Sequence, residues 1–219
     1  TGDSGGQKFH LFGDPGMSIP FPNETLNSID VNPDTLITLE VAEFSGISPF
    51  NSGGSGYVIL KDSDRQVERT FGSVTISYIL PGATLFQGQF IFSDNNFSGN
   101  LITPKDISYS QNPGRLNLYS ISNDSTREAV GTYSPVYFTS GSSVQDNEGP
   151  IISFETKKGR ILKSDDHFRN NETLVIRLED SLGINLAGEP GHEISLTDLA
   201  TGDVTDITNG FIYDPNSIQ

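Results

Sequence analysis

Short apolar runs, each cut off by a turn residue and with no helical period between them, limit most what this chain can fold into. β-Branched and aromatic residues alternate with polar ones at 8–12, 35–42, 56–61, 73–79, 84–92, 100–103, 115–121 and 130–139. The same pattern returns at 151–155, 173–179, 193–198 and 210–213. A period of two puts every apolar side chain on one face, which is what a half-buried strand requires, and Gly, Asn, Asp or Pro closes each run. With 23 Gly and 12 Pro among 219 residues, turns are frequent. Only 105–108, after Pro104, offers a single helical turn, and no 3.6-residue apolar period extends it. The expected fold class is all-β: two immunoglobulin-like antiparallel β-sandwich modules, the second incomplete.

Two stretches divide the chain. Pro20-Phe21-Pro22-Asn23 ends the first run in extended backbone, because each Pro turns its predecessor away from helical geometry. The polar stretch 141–150, running from Gly141 to Pro150 without apolar periodicity, reads as a linker into a new strand at Ile151. The expected layout is a tail of a preceding domain at 1–22, a first sandwich at 23–144 and a second at 145–219. That last stretch is shorter than the ~100 residues of an immunoglobulin sandwich, so it reads as truncated, with a sheet edge open to a neighbouring chain. Beginning at Thr1 rather than Met, the chain also reads as a piece of something longer.

Charge and composition remove several function classes. With 13 basic against 28 acidic residues the formal charge is −15, which repels nucleic acid. Without Cys there is no disulfide, thiolate nucleophile or Cys-based metal site. No apolar run approaches the ~18 residues of a membrane span, so no membrane insertion by this chain is expected, and residues 1–6 do not read as a signal peptide.

Several strings invite a chemical reading. Gly2-Asp3-Ser4-Gly5-Gly6 matches the surroundings of a trypsin-like nucleophilic serine, yet that chemistry needs an upstream His and Asp, and residues 1–3 hold no His, so the string reads as a polar loop. His10, His167 and His192 fit no helix-borne metal motif; His10 alternates within a strand run and His192 sits in a Gly-rich loop. Acidic groups recur at Asp62 with Asp64, Asp94-Asn95-Asn96, Asp146-Asn147-Glu148 and Asp165-Asp166. Calcium, which takes oxygen ligands from such loops, is the one cofactor considered, with Asp146 and Glu148 as the candidate ligands against a solvated linker. Gly53-Gly54-Ser55-Gly56 lacks the Lys of a phosphate-binding loop and reads as a flexible hairpin loop. A glycosidase carboxylate pair would lack Trp platforms here. Acceptor patterns at Asn23, Asn96, Asn123 and Asn171 mark surface loops.

Lys8-Phe9-His10-Leu11-Phe12-Gly13-Asp14-Pro15-Gly16-Met17 resembles the final strand and Gly-Asp-Pro turn that close the catalytic domain of gingipain-type cysteine peptidases. Leu85-Phe86-Gln87-Gly88, Phe97-Ser98-Gly99 and Pro104-Lys105-Asp106-Ile107 resemble the first β-sandwich after that domain in PorU-like proteins. Asp146-Asn147-Glu148-Gly149-Pro150-Ile151, then 178–185 (LEDSLGIN) and Gly191-His192-Glu193, resemble the next module. Glu193 stands where that module's pattern has Asp. PorU-like proteins are the sortase-like enzymes of type IX secretion, which remove C-terminal signals from cargo at the bacterial outer membrane.

The resemblance implies an extracellular or outer-membrane-surface setting and a non-catalytic role, because the family's His–Cys pair lies upstream of the Gly-Asp-Pro turn. Its implied partners are the chain's own upstream catalytic domain and secretion-system proteins or cargo. Gly13, Asp14, Pro15, Pro104, Asp106, Gly149, Pro150, Asp180, Gly183, Asn185, Gly191 and His192 are then structural motif positions. Phe9, Leu11 and Phe12 would dock the tail on the first sandwich. The competing expectation is a free-standing adhesin or carbohydrate-binding sandwich, with Tyr57 or Tyr109 among its contacts.

Overall fold

The computed structural model describes residues 21–141, 148–169, 171–187 and 193–218. Strands β1 (Glu24–Thr25), β2 (Asn27–Asn32), β3 (Thr35–Ile37) and β4 (Val41–Ile47) come first. β5 (Gly54–Lys61) leads to a hairpin of β6 (Arg65–Phe71) and β7 (Val74–Leu80). β8 (Thr84–Phe92), β9 (Asn96–Ile102), β10 (Gly114–Ser122) and β11 (Glu128–Thr139) follow. After 148 come β12 (Ile151–Thr156), β13 (Ile161–Leu162), β14 (Leu174–Glu179), β15 (Ser195–Thr197) and β16 (Val204–Asp206), with a 3-10 turn at Thr208–Gly210. Among the described residues there is no α-helix, so the fold is all-β, as the period-two runs imply.

Two sheets face each other. One runs β1-β11-β10-β5-β8, with β3 also on β11; the other is β2-β4-β9. β1 and β3 run parallel to β11, and the other pairings in these sheets are antiparallel. β10 displays the alternation most cleanly: Leu116, Leu118, Ser120 and Ser122 are buried, while Arg115, Asn117, Tyr119 and Ile121 point outward. From the opposite sheet Val31, Ala42, Phe44, Phe97 and Leu101 enter the same core. Rings carry much of it, with Phe90 edge-on to Phe44 at 5.6 Å and 5.2 Å from Phe97. Each such pair adds about 1 kcal/mol beyond the area it buries.

Four local expectations change, one of them at 210–213, where a 3-10 turn ends at Gly210 and Tyr213 makes only an isolated bridge in place of a strand. The run 35–42 is not one strand, because Leu39 takes φ 61° and the N–H of Glu40 closes a turn on the carbonyl of Ile37 at 3.2 Å. That turn carries the chain from one sheet to the other, which a continuous strand cannot do. Residues 53–56 are not a flexible loop: Gly54 and Gly56 lie within β5, and a Cβ on Gly56 would stand 2.5 Å from Cζ of Phe90. The rings of Phe90 and Phe92 occupy the space a side chain would need there. Residues 105–108 form no helical turn, since the N–H of Ser108 donates to Oδ2 of the buried Asp62 at 2.7 Å.

Beyond 148, β13-β12-β14 make a three-stranded sheet and β15-β16 a hairpin. The buried apolar residues here, Ile184, Leu186, Ala187 and Tyr213, belong to the core cluster of the sandwich. The edge strand β8 is not left open. Tyr213 bridges Gly88 in parallel, its N–H donating to the carbonyl of Gln87 at 2.9 Å, and the N–H of Asn216 donates to the carbonyl of Gln89 at 3.0 Å. Covering an edge with the chain's own backbone removes a template for unwanted pairing.

Candidate functional site

The junction between the sandwich and the later residues is where the motif positions meet. After β14 the chain must reverse, and Asp180 begins the turn: its Oδ1 accepts the N–H of Leu182 at 2.9 Å and its carbonyl accepts that of Gly183 at 3.1 Å. Gly183 has φ +82°, and a Cβ there would lie 2.5 Å from Cγ2 of Ile102 and 3.0 Å from the hydroxyl of Tyr213. Only glycine meets both demands at low cost. The turn delivers the N–H of Ile184 to the Tyr213 hydroxyl oxygen, and Nδ2 of Asn185 donates to Oδ2 of Asp106 at 2.9 Å. Oδ1 of Asn185 accepts the N–H of Ala187 at 3.0 Å.

Tyr213 joins the two sides. Its ring stacks on Phe86 of β8 with centroids 4.6 Å apart, and Phe211 meets it edge-on at 4.9 Å. Burial pushes its phenol up to about 12, with the nearby Asp180 adding to the rise and the Ile184 N–H opposing it. The group is therefore a neutral phenol that accepts a backbone hydrogen bond within the core.

A cleft of about 580 Å³ opens beside this latch, with Asp62, Arg65, Tyr109, Asp206 and Thr208 in its walls. Asp62 is committed to structure, its oxygens taking the N–H groups of Ser63 at 2.6 Å and Ser108 at 2.7 Å. Close by, Asp64 accepts the N–H of Gly82 at 3.0 Å and both its oxygens lie 2.8 Å from Nη1 of Arg115. The Gly82 N–H first, then the Arg115 guanidinium, hold its carboxyl below the usual carboxylate range. These carboxylates fasten loops.

Of the motif positions, Asp106, Asp180, Gly183 and Asn185 converge here, with Pro104 buried just after β9. Glu148, Gly149 and Pro150 are exposed ahead of β12, and a Cβ on Gly149 would touch nothing. Gly13, Asp14, Pro15, Asp146, Gly191 and His192 lie outside the described residues, as do His10 and the Gly-Asp-Ser-Gly-Gly string. Since Asp146 is among these, the calcium pair has only Glu148 placed, and among the described residues no three His, Asp or Glu converge on a metal position. His167 is exposed, and its carbonyl accepts Nη2 of Arg160 at 3.0 Å. Asp94 and Asp166 fold turns, taking the N–H groups of Asn96 at 2.7 Å and Lys163 at 2.9 Å. Asn23, Asn96, Asn123 and Asn171 are all exposed.

Tyr213 is the residue that sequence reasoning missed. The run 210–213 reads as one more strand, and nothing within it marks the tyrosine as a latch. The available signal was a hydroxyl-bearing aromatic in a short apolar run, together with a Gly after Asp-Ser-Leu that needs a partner packed against it.

No protein-family model and no curated protein matches the chain. Among solved structures it is similar to dimeric latent PorU from Porphyromonas gingivalis, with a TM-score of 0.55 over 94% of this chain at 22% identity. The fold is PorU-like. The chain spans 22% of the length of that PorU chain, so the likeness concerns a part of it. Among the described residues no helix is long and apolar enough to cross a membrane.

Proposed function

We propose that this chain is a non-catalytic β-sandwich part of a larger, gingipain-like surface peptidase related to PorU. In this reading it braces a catalytic domain lying upstream and presents surfaces to cargo or secretion partners outside the bacterial cell, at the outer membrane. The observation that carries it is the latch at Tyr213, where Asp180, Gly183, Ile184 and Phe86 fix the later residues to the sandwich. A brace needs its parts cross-linked, whereas an enzyme needs a reactive group left free, and at the junction Asp62 and Asp180 accept backbone N–H groups while Asp64 and Asp106 also accept side-chain donors. The fold likeness to part of PorU supports the same reading. Because the chain has no Cys, a thiolate nucleophile would belong to another part of the parent protein.

The test is to assay the chain alone for peptide cleavage, then add it to the upstream catalytic domain and measure that domain's melting temperature and processing of cargo. Cleavage by the isolated chain, or addition that changes neither property, refutes the brace. A second reading, a carbohydrate-binding surface protein, is favoured by one feature. Tyr57 and Tyr119 are register partners on the outer face of the larger sheet, beside the exposed Ile91. Aromatic rings of this kind offer apolar faces with a polar tip. Glycan-array binding lost on Tyr57→Ala would shift the assignment to that class. Tyr109 fits it less well, its hydroxyl donating to the carbonyl of Lys105 at 3.1 Å in the cleft wall.

A further inference from the structure

β6 and β7 form a two-stranded sheet of their own, and none of their residues is buried. Register decides which side chains share a face. Arg65 with Leu80, Val67 with Tyr78, Arg69 with Ile76 and Phe71 with Val74 lie on one side; Gln66 with Ile79, Glu68 with Ser77 and Thr70 with Thr75 lie on the other. The second side is knit by its own bonds, Nε2 of Gln66 donating to the Ser77 hydroxyl at 2.7 Å and the Thr70 and Thr75 hydroxyls meeting at 3.1 Å. The first is bare: Phe71 is 67% exposed, Val74 59% and Ile76 50%. An isolated two-stranded hairpin is marginal in water, and an apolar face stabilises it only once something covers that face.

Charge narrows what the cover is. Arg65 and Arg69 lie on the apolar face, where there is no carboxylate. Among the described residues neither is in an ion pair, although Arg115, Arg127, Arg160 and Arg177 each are. Arg65 borders the cleft that Asp62, Asp106, Glu193 and Asp206 also line, whereas Arg69, set between Val67 and Phe71 on the apolar face of a chain with 28 acidic and 13 basic residues, calls for a counter-charge from elsewhere. A second copy laid face to face would set guanidinium against guanidinium. An anionic lipid surface would have to approach a chain of net charge −15. An apolar segment bearing carboxylates meets both requirements of the face. Both hairpin edges are also without a third strand among the described residues, so an extended segment can pair with the backbone while its side chains cover this face.

We propose that the β6–β7 hairpin is a docking arm that takes an extended, apolar, carboxylate-bearing segment of another polypeptide as a third strand. This deepens the partner-presenting role above and rests on it, naming the surface and the chemistry it selects.

The full-length chain is titrated with a short fluorescent peptide carrying Val and Glu on its odd positions and Thr on its even ones, beside a twin with Lys for Glu. Saturable binding of the Glu peptide is expected, weakened about tenfold by Arg69→Glu, which also turns preference toward the Lys twin. Phe71→Ser with Ile76→Ser weakens both peptides. Since no hairpin residue is buried, all these variants keep the parent melting curve, which separates lost docking from lost folding. Absence of saturable binding, or equal binding of the twins, overturns the proposal. So does self-association of the chain that Ile76→Ser abolishes, which gives the face to a second copy, or binding to phosphatidylglycerol vesicles lost in that variant, which gives it to lipid. Failure of the brace reading shows separately, in the add-back to the catalytic domain, where the hairpin variants behave as parent.

Discussion

In the sandwich, β10 buries every second side chain against partners from the same region, whereas β14 of the later region has no buried residue at all. One face of its sheet carries Ile152, Phe154, Leu174 and Ile176, of which Ile152 is 56% exposed. The later region buries its apolar side chains by lending them to the sandwich, through Ile184, Leu186, Ala187 and Tyr213. Dependence therefore runs in one direction. The sandwich has rings enough of its own, and the later residues hold their place because Tyr213 and the turn at Gly183 fasten them to it.

The largest expected effect comes from breaking the side that both regions use. Phe90 touches Phe44, Phe92 and Phe97 and is fully buried, so Phe90→Ala removes the centre of the ring cluster. It costs about 3–5 kcal/mol, and thermal denaturation then loses the sandwich and the later region in one transition. If the later region kept its protected amides after the sandwich had melted, the one-way dependence would be wrong.

Tyr213→Ala attacks the other side of the comparison. It removes the stack on Phe86 and the acceptor for the Ile184 N–H, at about 3 kcal/mol, and the loss is local. Hydrogen exchange should quicken at Gln89 and Asn216, whose N–H groups face this segment, while β10 amides stay protected. The same residue gives the junction a pH limit. Its phenol titrates higher in the folded chain, at about 12, than the ordinary value of 10, so its contribution is complete below pH 10 and is lost as pH rises through about 12. The difference is worth up to about 3 kcal/mol, and Tyr213→Phe should abolish that portion of the alkaline destabilisation.

Period-two alternation made the sandwich readable: the run 84–92 is β8 residue for residue, and 115–121 lies inside β10. It failed where backbone geometry, not side-chain pattern, decides. The glycines of β5 looked like a loop because their partners are the rings of Phe90 and Phe92, distant in sequence. β6 went unseen because Arg65, Glu68 and Arg69 interrupt its apolar positions, and those charges are what distinguish the docking face from its reverse. The junction was half legible. Asp106, Asp180, Gly183 and Asn185 stood out as motif positions, but Tyr213, which packs against Gly183 and takes the Ile184 N–H, lies far along the chain, where short-range pattern carries no information.

Smaller effects sharpen the picture of the latch. Gly183→Ala forces a side chain into a left-handed backbone and against Ile102, at about 2 kcal/mol, and should loosen the later region as Tyr213→Ala does but less. Asn185→Ala gives up the bond to Asp106 and the one from the Ala187 N–H, at about 1 kcal/mol by denaturant titration.

The weakest test asks whether ion pairs share the work. Arg177 of β14 reaches Glu155 at 2.7 Å and Asp214 at 2.8 Å, the second spanning from the sheet to the segment that covers β8. By distance alone this rivals the Tyr213 latch. However, the Arg177 side chain is 48% exposed and that of Asp214 68%, so water and salt screen the pair, and holding a long side chain in one geometry offsets most of its Coulomb gain. Arg177→Ala should leave the melting temperature and the exchange rates at Gln89 and Asn216 as they are in the parent, at low salt and high salt alike. A clear, salt-sensitive loss of protection at those two amides would mean that the later region is held by charge as well as by the buried ring, and the junction would then have two fasteners where the packing argument allows one.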